Sequence, residues 1–470
     1  MEGGLMLPSL AVAAYYGGED VGAFVITICV TLLAGGAMIG LSKPSVRELR
    51  AREGFAVVAL AWLTLSLFGS LPFVISGEIP SPVDAFFESV SGFTTTGATI
   101  LTEIESLPRG LLFWRSFTHW IGGMGVLVFT LAVTPSITGR TSHLMRAESP
   151  GPTMSKLLPR MGDTAKLLYV IYIVLSLLLL IALMLAGLSF YDACIHTFST
   201  AGTGGFSNMN ASVGAFDSPV VEWIIAAFMV MFGVNFAVYF HLVVDGAKKG
   251  LQDEELRAYL CIVLTAVTIV TLNILPGYGW NVAEALRDAA FQVGSIVSTT
   301  GFMTADYATW PTLSQMVLVL LMFIGACAGS TAGGLKVIRV LLLCKNSKRE
   351  INRTFQPRRV QVVKLDGKAV AEETLNQVGI FFFTHIFLLL IGTTLVCADG
   401  VSFATGFSAA LTTLSNVGPG LDAVGPTQNF AAFSVPVKLV LSFLMLCGRL
   451  EIFPMLVLLS PRAWTSHASR

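Results

Sequence analysis

Four short segments carry the same polar residues at the same spacing. They read DAFFESVSGFTTTGAT from Asp84, DACIHTFSTAGTGGFS from Asp192, DAAFQVGSIVSTTGFM from Asp288 and TGFSAALTTLSNVGPG from Thr405, and they align without gaps. Seven residues after each start stands a hydroxyl (Ser91, Ser199, Ser295, Thr412), and thirteen after it a glycine (Gly97, Gly205, Gly301, Gly418). Gly- and Thr-rich backbone beyond a short helix has carbonyl oxygens without helical partners, and several of these converging on one axis can replace the hydration shell of a cation. Glycine at the turn supplies φ values that let successive carbonyls face one way. Four such segments in one chain imply a single cation filter built from main chain.

Composition indicates which elements must position these segments. Of the 470 residues, 54% are apolar and 12% charged, and mean hydropathy is +0.75. Apolar runs that could span a bilayer lie at about 21–41, 55–76, 111–134, 166–188, 221–243, 256–276, 313–343, 377–397 and 436–459. This is the pattern of a polytopic membrane protein. Each of the four segments falls between two runs. Its first residue, Asp or Thr, reads as a helix N-cap, and the roughly ten helical residues that follow, about 15 Å, cover half the hydrocarbon thickness. The helix must end inside the membrane, so the polar backbone beyond it must line a cavity holding water or ions. Four such helices around one axis aim their negative dipole ends at a common centre.

The net charge of zero hides an asymmetry between alternate connections. Basic residues gather at Lys43, Arg47, Arg50 and Arg52; at Arg140, Arg146, Lys156, Arg160 and Lys166; at Lys248, Lys249 and Arg257; and at Lys345, Lys348, Arg349, Arg353, Arg358, Arg359, Lys364 and Lys368 within a 344–368 loop. The positive-inside rule makes these connections cytoplasmic, so the four segments enter from outside. Residues 1–18 have neither a basic n-region nor a small-residue cleavage site. They read as a short first helix, or as a start that lies upstream, and not as a cleaved signal peptide. The seven cysteines form no CxxC pair and read as small buried hydrophobes.

The run at 313–343 is too long for one helix and contains GACAGSTAGG. Gly325, Gly329 and Gly333 recur at the spacing of a helix-contact face, but here small residues surround the whole circumference, which fits an unwound loop better. Arg449 stands about 20 Å inside the last run, a costly depth unless it faces protein or water. A structural ion pair and a pore-facing charge both satisfy that requirement. Glu451 cannot share a helix face with it and is expected to pair with Lys336 or Arg339. Arg115 lies near an outer helix end, where it can snorkel.

At these residues the sequence resembles the Trk/Ktr/HKT superfamily of potassium transporters, and within it the TrkH-type subunit. Matching stretches besides the four segments are REGFAVVALAWL (52–63), FWRSFTHWIGGMGVLVF (113–129), GACAGSTAGGLKVIR (325–339) and GRLEIFPMLVL (448–458), and the likeness runs from about residue 20 onward. It implies an all-α fold of four M1-P-M2 repeats in pseudo-fourfold symmetry around a central pore. The units would be an N-terminal helix pair at 1–50 with a short first helix, then repeats at 51–145, 146–250, 251–345 and 346–470. The coordinating backbone would come from Thr95 and Thr96, Thr203 and Gly204, Thr299 and Thr300, and Asn416 and Val417, each pair preceding its glycine. Glycine at all four positions goes with potassium, whereas serine at the first goes with sodium in some plant relatives. SNVGPG in the fourth segment departs from TTG, so relaxed selectivity, or a nonselective sodium/potassium pathway, is the alternative.

The resemblance further implies an intramembrane gating loop at 325–334 formed by Gly325, Gly329, Ser330, Thr331, Gly333 and Gly334, with Arg449 as the arginine below the filter. It also implies a homodimer, a cytosolic nucleotide-binding subunit of RCK/KTN type docking on the inner face, and residence in a bacterial cytoplasmic membrane. Potassium would be the substrate, and its coupling to protons or sodium is left open. Enzymatic readings are weaker. AGST around Ser330 is a poor match to GxSG and no histidine is placed beside it. The single histidines His119, His196, His241 and His385 suit structural roles better than haem ligation. No Walker motif or dinucleotide fingerprint is present, so no cofactor is expected in this chain.

Overall fold

The computed structural model describes residues 2–41, 51–125, 161–244, 246, 250–358 and 361–461. The expected basic segments at 43–50 and 140–160, together with Lys248, Lys249, Arg359 and the 126–134 part of one expected span, lie outside these residues. Among the described residues the regular secondary structure is helical apart from one small hairpin, Lys364–Leu365 paired antiparallel with Lys368–Ala369.

The N-terminal pair is a ten-residue helix, Leu7–Tyr16, closed by Gly17 in the left-handed region, and a full-length span, Val21–Leu41. Four copies of one motif follow. Each has an outer span, a half-length helix and an inner helix. The outer spans are Ala51–Gly69 continued by Leu71–Ser76, then Met161–Leu185, Glu254–Ile274 and Glu372–Cys397. Each carries a window apolar enough to cross a bilayer, less than half of it buried within the protein, as expected of helices with one face toward lipid.

The half-length helices are Pro82–Phe93, Phe190–Gly202, Val282–Val297 and Phe403–Leu414, of 12, 13, 16 and 12 residues. Their caps differ from the expected ones. Ser81, Ser189, Asn281 and Ser402 are the N-caps, and their side chains accept from the backbone N–H of Asp84, Asp192, Glu284 and Thr405. Asp84, Asp192 and Thr405 thus sit three residues inside the helix, and Asp288 lies a further turn along. Asp84, Asp192 and Glu284 occupy first turns and so face the positive helix end, whereas Asp288 lies beyond it.

The inner helices also depart from expectation, because none crosses as one straight rod. Arg109–Gly123, Pro219–Phe232, Thr312–Ile324 and Val435–Arg449 have 13 to 15 residues, or about 20 Å each. The first three stop at breaks that contain a glycine (Gly125, Gly233, Gly325), and the fourth stops one residue past Gly448. A Cβ on Gly122 would lie 1.9 Å from Phe93 O, and one on Gly448 2.1 Å from Leu414 O. Phe93 and Leu414 are the last helical residues of their half-length helices, so the inner helix meets an uncapped carbonyl end where no side chain fits. In the second repeat the chain bends by 89° between Pro219–Phe232 and Phe236–Val244. In the third it resumes only at Val337–Phe355. That helix takes in residues 344–355 of the expected 344–368 loop, and the expected division at 345/346 falls inside it. In the fourth repeat Glu451 and Ile452 have φ of 55° and 67° before Phe453–Leu459.

Of the cysteines, only Cys194, Cys327 and Cys447 are buried. Cys29, Cys261 and Cys344 lie on the outer surface of the molecule, contrary to expectation.

Candidate cation-coordinating site

Each half-length helix ends in the same way. Thr95, Thr203, Thr299 and Asn416 turn left-handed, with φ of 54°, 55°, 57° and 55°. The next amide reaches back five residues: Thr96 N to Ser91 O (2.9 Å), Gly204 N to Ser199 O (2.8 Å), Thr300 N to Ser295 O (2.8 Å) and Val417 N to Thr412 O (2.9 Å). This is a Schellman closure, and the accepting residues are the four hydroxyl residues that the repeat spacing picks out. Ser295 Oγ also donates to Phe302 O (2.7 Å) and Thr412 Oγ1 to Pro419 O (3.0 Å), just past their glycines. Gly97, Gly205, Gly301 and Gly418 then take φ of 79°, 78°, 82° and 97°. Handedness alternates from Thr95 through Thr96 to Gly97 and likewise in the other copies, which turns successive carbonyls to one side.

The four turns form a closed ring. A Cβ on Gly97 would lie 2.0 Å from Gly204 O; on Gly205, 2.1 Å from Thr300 O; on Gly301, 2.2 Å from Val417 O; and on Gly418, 2.5 Å from Thr96 O. Each glycine abuts the carbonyl preceding the next repeat's glycine, and the fourth returns to the first. The sequence departure at Asn416 and Val417 leaves this backbone unchanged. All four glycines floor one outward cavity lined also by Thr99, Asn210 and Gln428.

Beyond the ring, one position recurs that the sequence reading passed over, nine residues before each glycine. Glu88 accepts from Thr99 Oγ1 (2.9 Å) and Ile100 N (3.0 Å), His196 Nε2 meets Ser207 Oγ (3.0 Å), and Gln292 Nε2 donates to Ala305 O (3.2 Å). In the fourth repeat the position is Ala409, and the neighbouring Ser408 accepts from Leu421 N (3.1 Å). The polar residues at one register were the available signal. Arg115 does not snorkel. It is 2% exposed, donates to Glu88 Oε1 (2.6 Å) and Ser207 O (3.0 Å), and stacks over Phe206. Lys438 pairs with Asp84 at 2.7 Å. At the outer surface, hydrogen bonds from Ser402 and Thr405 hold the Asp422 carboxyl below its ordinary range. His119 Nδ1 lies 2.7 Å from Gly92 O, and His385 is buried against Phe323 and Phe381.

On the inner side the chain is irregular from Gly325 to Lys336, two residues longer than expected. Gly325, Gly329 and Gly334 have positive φ. Gly333 N donates to Thr299 Oγ1 (2.7 Å), and a Cβ on Gly333 would lie 2.3 Å from Ser415 O. The stretch therefore sits directly against the turns of the third and fourth repeats. Its far side pairs with the break in the second: Cys327 N donates to Gly233 O (3.0 Å), Phe236 N to Gly329 O (3.0 Å) and Thr331 Oγ1 to Phe232 O (3.3 Å). Ser330 Oγ is turned inward to Cys327 O (2.6 Å). Glu255 Oε1 accepts from Ala328 N (2.7 Å) and Ile338 N (3.1 Å), fastening both flanks.

Arg449 donates to Thr331 O (2.7 Å), Gly122 O (2.5 Å) and Gly123 O (2.6 Å), joining this stretch to the end of the first repeat's inner helix. Glu451 pairs with Arg339, one of its two expected partners. Glu451→Gln is expected to lower stability by about 3 kcal/mol, the lower end of the scale for breaking a buried pair, because Glu451 is partly exposed. Thermal unfolding in detergent measures it, and an unchanged midpoint would show that water already screens the pair.

Comparison with known proteins places this geometry in a family. A family model described as "TrkH: Cation transport protein" matches residues 21–466. The chain belongs to the TrkH family. It is 41% identical to the Trk system potassium uptake protein TrkH of Salmonella typhimurium, over 98% of this chain and 96% of that protein. It is 34% identical to the Trk system potassium uptake protein TrkG of Escherichia coli, over 98% and 95%. The crystal structure of the potassium transporter TrkH from Vibrio parahaemolyticus superposes with a TM-score of 0.88 at 36% identity, covering 98% of this chain and 96% of that one. The TrkH-family fold of four repeats, a multi-pass membrane protein and a transporter rather than an enzyme, is thus the fold of this chain.

Proposed function

We propose that this chain carries potassium into the cell across a bacterial cytoplasmic membrane, with the ring of carbonyls beside Gly97, Gly205, Gly301 and Gly418 as its selectivity filter. The observation that carries this reading is the cyclic contact of each glycine with the next repeat's carbonyl, which gives four equivalent coordinating turns without an acidic side chain. The names of the relatives support potassium as the ion. The uniform backbone at Asn416 and Val417 favours potassium over the nonselective alternative, because a cation meets main-chain oxygens and not the differing side chains.

In this reading the 325–334 loop is the gate and Arg449 its tether. The protein works as a homodimer, and a cytosolic nucleotide-binding subunit acts on the loop from the inner face. Rubidium uptake into proteoliposomes, with and without competing sodium, tests the proposal. Rubidium entry that sodium scarcely inhibits is the expected result. Equal competition would remove the selectivity, and no uptake with or without a regulatory partner would remove the pathway.

A further inference from the structure

We infer that Glu88 and Arg115 form a brace that sets the ion preference of the ring at the seam between the first and second repeats, through Thr99, Ile100 and Ser207. The inference rests on reading the ring as a filter.

Both side chains are buried, with Glu88 1% and Arg115 2% exposed. Glu88 is not available as an ion ligand, since Thr99 Oγ1, Ile100 N and Arg115 Nε occupy its two oxygens. Arg115 balances its charge, so the pair adds little net field at the mouth. What remains is position. Thr99 and Ile100 are the second and third residues after Gly97, and Ser207 is the second after Gly205. The brace therefore holds the exit strands of two neighbouring turns, just outside the point where Gly97 meets Gly204 O, the tightest of the four glycine contacts in the ring.

Ser207 is gripped twice, its carbonyl by Arg115 and its hydroxyl by His196. Thr99 is likewise held twice: its hydroxyl by Glu88, and its carbonyl by the backbone N–H of Phe430 from the fourth repeat (2.8 Å). The corresponding position in the third repeat uses a neutral glutamine, and the fourth has alanine, so the charged brace is confined to one seam. Whether selectivity comes from cavity size or from the number of carbonyls facing the ion, those carbonyls must be kept from following a smaller ion inward. Buried ion pairs with further hydrogen bonds are suited to fixing geometry, even where they add little to stability.

The test is rubidium uptake against rising sodium for Thr99→Val, Thr99→Ser, Glu88→Gln, Arg115→Met and the Glu88→Gln/Arg115→Met double variant, with Gly97→Ser as reference. Thr99→Val deletes at nearly constant volume the hydroxyl that donates to the Glu88 carboxylate, and is expected to lower the rubidium-over-sodium ratio about threefold, a fraction of the worth of one hydrogen bond to a charged group. Thr99→Ser should restore it. Glu88→Gln and Arg115→Met should each lower the ratio about tenfold, and the double variant by no more than either alone, because the two act as one unit. A brace that only stabilises the fold would reduce protein yield or melting temperature and leave the ratio untouched, and that outcome in Thr99→Val and Glu88→Gln overturns the inference. If Gly97→Ser also leaves the ratio unchanged, the ring is not the selecting site, and the filter reading falls together with the brace.

Discussion

Replacing Gly97 with serine is expected to reduce the preference for potassium over sodium about tenfold, equivalent to some 1.4 kcal/mol of differential coordination, while the protein still reaches the membrane. Two independent costs act at this position. Its φ of 79° is one that non-glycine residues occupy at roughly 1–2 kcal/mol. The Cβ would also stand 2.0 Å from Gly204 O. That oxygen belongs to backbone, not to a flexible side chain, so relief must come from moving a carbonyl of the second repeat that the proposed filter includes. The damage is local, because no helix depends on the absent side chain. Rubidium uptake under sodium competition measures the effect. An unchanged ratio would mean that Gly204 O does not face the ion.

Arg449→Gln should act on the inner side and raise uptake in the absence of any regulatory partner by about tenfold or more. The guanidinium makes three hydrogen bonds to carbonyls of two repeats, each of the charge-assisted kind worth about 1.5–3 kcal/mol. Glutamine keeps a donor but loses the charge and the fork that spans Thr331 O and Gly122 O. Arg449→Lys should fall between, since a point charge cannot bridge separated acceptors. Glu255 and Thr299 would still hold parts of the loop, so leakage and not collapse is expected. Basal rubidium flux no higher than in the unaltered protein would remove Arg449 as the tether.

Much of this architecture was legible in the residues. The repeated hydroxyl and glycine spacing marked the four turns because both residue types are demanded by backbone geometry, which side-chain variation does not disguise. The left-handed threonines were not legible. A β-branched residue at φ near 55° runs against its own preference, and only the surrounding ring compels it. The broken inner helices were also hidden, since a single glycine in an apolar run looks like any other. In the first and fourth repeats the inner helix ends where it meets the carbonyl of a different element, Phe93 or Leu414, brought there by the fold. Arg115 was misread for the same reason. Its depth along its own helix suggested snorkelling, whereas its partner Glu88 stands 27 positions earlier in a helix that the chain returns beside it. The caps moved by one turn because Ser81, Ser189 and Ser402 precede the segments that align.

The cyclic glycine contacts have a consequence for how such a ring can change over generations. Where a ring is assembled from four identical subunits, one codon alters every seat at once, and a change worth a modest energy at one seat is felt fourfold. Here each seat has its own codons. On the filter reading proposed above, a substitution at Ala409 acts first on one quarter of the ring, whereas Asn416, whose Nδ2 donates to Thr96 Oγ1 (2.9 Å), reaches the neighbouring quarter as well and leaves two untouched. Ion preference can therefore be tuned in small increments, and a transporter of this design can drift toward a new balance of ions without passing through a form that conducts none.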